Sequence, residues 1–221
     1  MEPACGSLPG LMQTGGNADV LHARGVEGMA QRCEPFACWT SSLVCDTDHG
    51  DEGNTAHMET KEPSAKLLAD ATLKLWQNGV DQAGKLFSGL TEEALEREVA
   101  PGKNRLIYLW GHLLAVSDAM YAVLRLGERL HPELDAMFLK SADKAVTPIP
   151  SAQELNAAWG EVHERLRVEM AKLSAAEWLE RHALVSEEDF AREPHRNRFA
   201  VLLARSGHLA YHFGQARLAA K

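Results

Sequence analysis

The chain has 221 residues, 45% hydrophobic and 24% charged, with a formal net charge of -8 at pH 7. That length buries one sizeable core, or one core plus an appendage. The acidic balance argues against a dedicated nucleic-acid binder, which carries a basic stripe, and no stretch approaches the roughly 18 apolar residues of a membrane span.

The charge is unevenly placed. Residues 1–60 hold nine acidic and two basic side chains, a net of -7, while residues 61–221 hold 22 and 21, a net of -1. Eight of the 17 glycines also fall in 1–60. Apolar positions there show no sustained period, and 46–59 is polar and acidic, so 1–60 reads as a poorly ordered extension. All four cysteines (Cys5, Cys33, Cys38, Cys45) lie in it. A secreted disulfide scaffold does not distribute them that way, and no basic region followed by an apolar core marks a signal peptide. The expected location is the cytoplasm. Cys33, Cys38 and Cys45 with His49 have irregular gaps for a zinc finger and make a weak candidate.

From Pro63 the pattern becomes helical and defines a second region, 61–221. A first helix reads over 63–89, with Leu67, Leu68, Ala71, Leu75, Val80, Ala83, Leu86 and Phe87 as its inward face. Gly79 and Gly84 weaken it by about 1 kcal/mol each against alanine. Thr91 caps a short turn, and Pro101-Gly102-Lys103-Asn104 breaks the chain. A second helix spans 104–126 on Leu106, Leu109, Leu113, Val116, Met120, Val123 and Leu124, with Gly127 as its stop. A short helix near 132–139 follows, then a loop through 147–150. Ser151 and Glu154 form a capping box for a third helix over 152–173, buried through Leu155, Ala158, Trp159, Val162, Leu166 and Met170. Residues 174–189 read as turn and short helix. A fourth helix covers 196–220, with Phe199, Leu202, Leu203, Ser206, Leu209, Ala210 and Phe213 inward. Four long amphipathic helices and no strand predict an all-α four-helix bundle, and the long stretch between helices two and three makes it other than a simple meander.

His208 and His212 stand one turn apart on the last helix, so both can reach a single ion. Their neighbours Leu209, Ala210 and Phe213 withdraw them from water, where an unmet ring nitrogen is costly; a metal or a set of hydrogen bonds would satisfy them. His112 sits between Leu109 and Leu113 with the same ambiguity, as a third ligand or as a core histidine donating to Asp118 or Glu161. Asp118 lies six positions on, which turns it away from His112 and makes it a supporting or surface group. His163 is the spare ligand or proton shuttle, with a polar-face position amid Glu161, Glu164 and Arg165 as the alternative. Tyr108, Tyr211 and Gln215 are pocket candidates. Lysine-terminated phosphate loops and nucleophile elbows are absent.

The run Asn197-Arg198-Phe199-Ala200-Val201-Leu202-Leu203-Ala204-Arg205-Ser206-Gly207-His208-Leu209-Ala210-Tyr211-His212-Phe213-Gly214-Gln215 resembles the last helix of DinB-like proteins. The run Asn104-Arg105-Leu106-Ile107-Tyr108-Leu109-Trp110-Gly111-His112-Leu113 resembles their second helix. The resemblance covers roughly 63–220. It implies a four-helix bundle with a long crossover connection, and a divalent ion, nickel or zinc, held by His112, His208 and His212. It further implies a homodimer, and a metal-dependent hydrolase or a transferase using a low-molecular-weight thiol on a small-molecule substrate. The competing expectation is a non-enzymatic, stress-related or interaction protein whose metal site is vestigial.

Overall fold

The computed structural model describes residues 61–221; the 1–60 extension and the cysteine–histidine candidate at 33–49 lie outside the described residues. The described part is all helix: α1 (Lys61–Ser88), α2 (Glu92–Leu95), α3 (Leu106–Asp118), α4 (Met120–Val123), α5 (Leu134–Phe138), α6 (Ala152–Ala171), α7 (Ala175–Leu179), α8 (Glu187–Arg192) and α9 (Arg198–Ala219). Two isolated bridges, Glu98 with Arg105 and Arg181 with Asn197, are the extent of its β-pairing among the described residues.

Four long elements make the bundle, and their contacts give its direction. Gly79 of α1 lies against Leu209 of α9, and further along Leu86 and Phe213 line one cleft, so α1 and α9 run parallel. Gly84 meets Trp159 while the earlier Trp76 meets His163, so α6 runs against α1. Phe87 stacks on Trp110, and the later Ser117 reaches His163, so α3 also descends. The order is up, down, down, up. Two consecutive descending helices require the chain to climb back between them, and α5 sits on that long crossover.

The helix ends obey local chemistry. Thr91 Oγ1 accepts from the Ala94 N–H at 3.2 Å. Ser151 and Glu154 close the expected capping box at the start of α6, and Ser174 with Glu177 repeats it for α7. Asn197 caps α9 through the Ala200 N–H at 2.9 Å. The second predicted helix is in fact two pieces, α3 and α4, meeting at Ala119. Gly127 is not its stop. The left-handed residue is Arg125 at φ 56°, and the Leu126 N–H returns to the Tyr121 carbonyl at 2.8 Å, which closes a Schellman end.

In two helices the buried face differs from the one the sequence pattern predicts. In α1 the buried residues are Ala69, Leu73, Trp76, Val80, Ala83 and Phe87, alternating in steps of four and three. Leu67, Leu68, Ala71 and Leu75 face out, because the stripe carrying Trp76 and Phe87 buries more apolar area than the leucines beside it. In α9, Leu203 and Ala210 are exposed while Val201, Leu202, Leu209 and Ala216 are buried. Gly84 is also more than a weak point: a Cβ there would lie 2.8 Å from Trp159 Nε1, so its absence lets α1 and α6 approach.

Every residue of α3 is buried. Leu106–Val123 has a mean hydropathy of 1.3 over 18 residues and is long and apolar enough to cross a membrane, contrary to the sequence reading; 89% of the window is buried inside the bundle, as the central helix of a core.

His163 belongs to this core rather than to a polar face. It is 3% exposed, donates from Nδ1 to the Trp159 carbonyl at 2.8 Å and accepts at Nε2 from Ser117 Oγ at 3.0 Å. Burial pushes its pKa down from 6.5 to about 4. Between those values the unfolded chain binds a proton that the folded chain refuses, so stability falls as pH drops from 6.5 towards 4, by on the order of 3 kcal/mol for this one group. Replacing both partners (Ser117→Ala with His163→Leu) should flatten the dependence of unfolding free energy on pH over that interval by one proton. An unchanged slope in urea titrations would show that His163 does not carry it.

Candidate metal centre

Three imidazoles meet between α3 and α9. His112 Nε2 lies 3.2 Å from His208 Nε2, and His212 Nε2 lies 3.1 Å from the same atom. Their ring centroids are 4.6 to 5.1 Å apart at steep angles, edges together rather than faces. The spacing of four on α9 puts two of the rings one turn apart on the same face, and the antiparallel passage of α3 brings the third. Among the described residues this is the one His, Cys, Asp or Glu group with the geometry to hold a metal ion.

The far side of each ring decides what the near side can do. His112 Nδ1 lies 2.8 Å from the Phe138 carbonyl, which only accepts, so this nitrogen carries the proton. His212 Nδ1 likewise donates to Gln215 Oε1 at 2.8 Å. A neutral imidazole has one N–H, so both Nε2 atoms present lone pairs. Both point at His208 Nε2, which has at most one proton to give. Two acceptors and one donor leave a lone pair unmet in a buried place, which is costly. A divalent cation satisfies all three nitrogens at once. Tetrahedral zinc with Zn–N near 2.0–2.1 Å sets its nitrogens about 3.3 Å apart, close to the separations here.

The protonation state suits a ligand set. Burial pushes His112 down to about 4 and His208 to about 3, with neighbouring positive charge adding to both shifts. Burial also lowers His212, against the opposing bond to Gln215. All three rings are neutral at pH 7. Part of the added charge comes from Arg205, one turn before His208 on α9. Burial lowers its own pKa to about 10, so it remains a cation at neutrality.

The other candidates separate. Gln215 supports the centre through His212. Tyr108 is buried, stacks on His112 at 6.4 Å, and donates to the Ser141 carbonyl at 2.6 Å rather than lining a cavity mouth. Tyr211 sets its ring 5.0 Å from His212 but is largely exposed. His163 lies outside the three-histidine group, with both ring nitrogens hydrogen-bonded to Trp159 and Ser117. Asp118 does turn away from His112 as expected, but it is wholly buried and is no surface group. Neither it nor Glu161 receives the His112 proton. A cleft of about 470 Å³ between the ends of α1 and α9 is lined by Gln82, Lys85, Leu86, Gly89, Leu90, Phe213 and Arg217, and none of the three histidines borders it.

Phe138 is the participant that sequence reasoning missed. A backbone carbonyl leaves no trace in residue type, yet Gly111 beside His112 hints at it: a Cβ there would fall 2.3 Å from the Phe138 ring.

An all-helical bundle with an up, down, down, up order and a three-histidine cluster compatible with a divalent metal is the class this chain defines. The DinB superfamily model matches residues 77–216, from the middle of α1 to near the end of α9, and the chain belongs to that superfamily. No curated protein matches it.

Gly111→Ala should force the Phe138 ring and α5 away from α3. The expected cost is about 1–3 kcal/mol of stability, measured as a lower urea midpoint at unchanged slope; a variant as stable as the parent would show that this contact is not tight.

Proposed function

We propose that the protein is a divalent-metal enzyme acting on a small molecule, with His112, His208 and His212 as the ligands. The observation that carries this is the count of donors and acceptors at the centre: two Nε2 lone pairs face one ring nitrogen with at most one proton. Nickel and zinc are the expected ions, since both accept imidazole.

A divalent ion held by three neutral ligands supplies Lewis-acid activation of water or of a thiol at its remaining position. The protein side of the chemistry follows from the residues. Phe138 and Gln215 hold two ring protons on the outward nitrogens, so the inward ones stay free to bind. His112 and His212 are buried, which limits access of bulk water to their rings. The Arg205 charge favours an anionic partner, which hydroxide, a thiolate or a carboxylate-bearing substrate provides. Hydrolysis and thiol-dependent group transfer both use such a partner, and they are the two reaction classes proposed.

The second reading, a non-enzymatic protein with a vestigial site, draws support from the burial of the rings and the position of the cleft away from them. The expected homodimer draws support from the leucines left outward on α1 and α9: Leu68, Leu75, Leu203 and Leu218. A cytoplasmic setting fits the cysteine-free body at 61–221.

Protein prepared without an affinity tag should retain or take up one divalent ion per chain, and the His208→Ala/His212→Ala variant should lose it. Elemental analysis of both reads this directly; equal metal content overturns the proposal. Candidate low-molecular-weight thiols and ester or amide substrates, offered to the loaded protein, then separate the enzyme from the vestigial site.

A further inference from the structure

The crossover carries an ion cluster far larger than a surface contact requires. Asp118, the last residue of α3, is wholly buried. Its Oδ2 accepts from Arg129 Nε at 2.9 Å, and its Oδ1 accepts the Leu130 N–H at 2.8 Å. The other end of the same guanidinium donates to both oxygens of Asp135 in α5, at 2.7 and 2.6 Å. Arg129 thus joins the end of α3 to α5 through three charge-assisted bonds from one planar group, a geometry that fixes orientation as well as distance. Three residues after Asp135 comes Phe138, whose carbonyl receives the His112 proton. Its ring is fully buried between Gly111 and Tyr108.

We propose that Asp118, Arg129 and Asp135 form a positioning clamp for the metal centre: by fixing α5 they fix the Phe138 carbonyl, which selects the His112 tautomer and aims its Nε2 at His208 and His212. This rests on the metal reading above and adds its remote determinant. None of the three touches a ligand. Their influence passes through one backbone oxygen, whose displacement by an ångström lets the His112 proton move to Nε2 and blocks the ligand atom. Groups that orient metal-binding histidines from behind typically change affinity by about 10–100-fold when lost. Here that group is itself held by an ion pair.

Arg129→Met and the milder Asp135→Asn test the clamp in the full chain, with Leu166→Ala, a core cavity in α6, as a destabilised control. Two measurements are made on each: zinc affinity by competition with a chelator, and the His112 tautomer in metal-free protein by side-chain ¹⁵N NMR. The parent should show a single Nδ1–H tautomer. The clamp variants should show mixed tautomers and zinc affinity lower by about 10–100-fold, with helical content retained, while Leu166→Ala keeps the parent's tautomer and affinity. Zinc uptake by the parent with unchanged clamp variants overturns the clamp and leaves the metal centre standing. An equal effect from Leu166→Ala also overturns it, because loss of stability alone then suffices. Failure of the parent to bind zinc removes both readings.

Discussion

Two hydrogen bonds on the outer edges of two imidazoles decide what the centre of this bundle can do. With the Phe138 carbonyl behind His112 and the Gln215 amide oxygen behind His212, both protons are held away from the middle. The middle then contains more lone pairs than protons. Had both rings carried their proton on Nε2 instead, both would donate towards the His208 Nε2 lone pair, and the cluster would be an ordinary polar core. The constraint lies on bonding geometry rather than on residue type, since histidines with the same numbers and other partners would lack it.

The fold supplies both partners at little extra cost. Gln215 comes with the helix, three residues after His212 and therefore on the neighbouring face. Phe138 comes with the topology. Because α3 and α6 both descend, the chain between them must return the length of the bundle, and α5 passes beside α3 at the height of Gly111 and His112. A simple meander would turn back at once and leave this side of α3 without a nearby carbonyl. The long connection is thus more than a spacer: it provides the back wall of the site. The Arg105 pairing with Asp143, which includes the Arg105 backbone N–H, ties the upper part of the same connection to the start of α3.

Much of this was legible in the residues, and the failures have physical reasons. His208 and His212 were readable because a spacing of four on a long helical pattern has one geometric meaning. His112 was legible as one of two outcomes, ligand or satisfied core residue, and only its partner could separate them. That partner is a main-chain oxygen 26 residues away, which residue type cannot reveal. In α1 two stripes satisfy helical spacing. The chain buries the one with Trp76 and Phe87 and exposes Leu67, Leu68 and Leu75, a choice set by the volume of the partner surface and not by α1 alone. His163 was misread because Glu161, Glu164 and Arg165 surround it in sequence, whereas Val162 and Leu166 share its buried face. Asp118 turned away from His112 as helical geometry requires, but its burial depends on Arg129, on a loop that no helical period describes.

The centre also limits what can hold the bundle together. Three neutral imidazoles occupy the seam between α3 and α9, where a purely structural protein would place leucines. Their desolvation opposes folding unless an ion binds the folded state, and stabilisation by such an ion grows only as the logarithm of its concentration over its dissociation constant. A bundle that folds without an ion therefore needs its cohesion elsewhere. It has it in α1, whose face from Ala69 to Phe87 packs against the other three helices and whose Trp76 and Phe87 meet aromatic partners on α6 and α3. The division is spatial: α1 supplies the apolar contacts that keep the helices in register, and α3 and α9 are thereby free to carry a polar site between them. Placing the ligands on α1 would have set the same groups to both tasks, and the apolar seam that shapes the site would have been interrupted by the site itself.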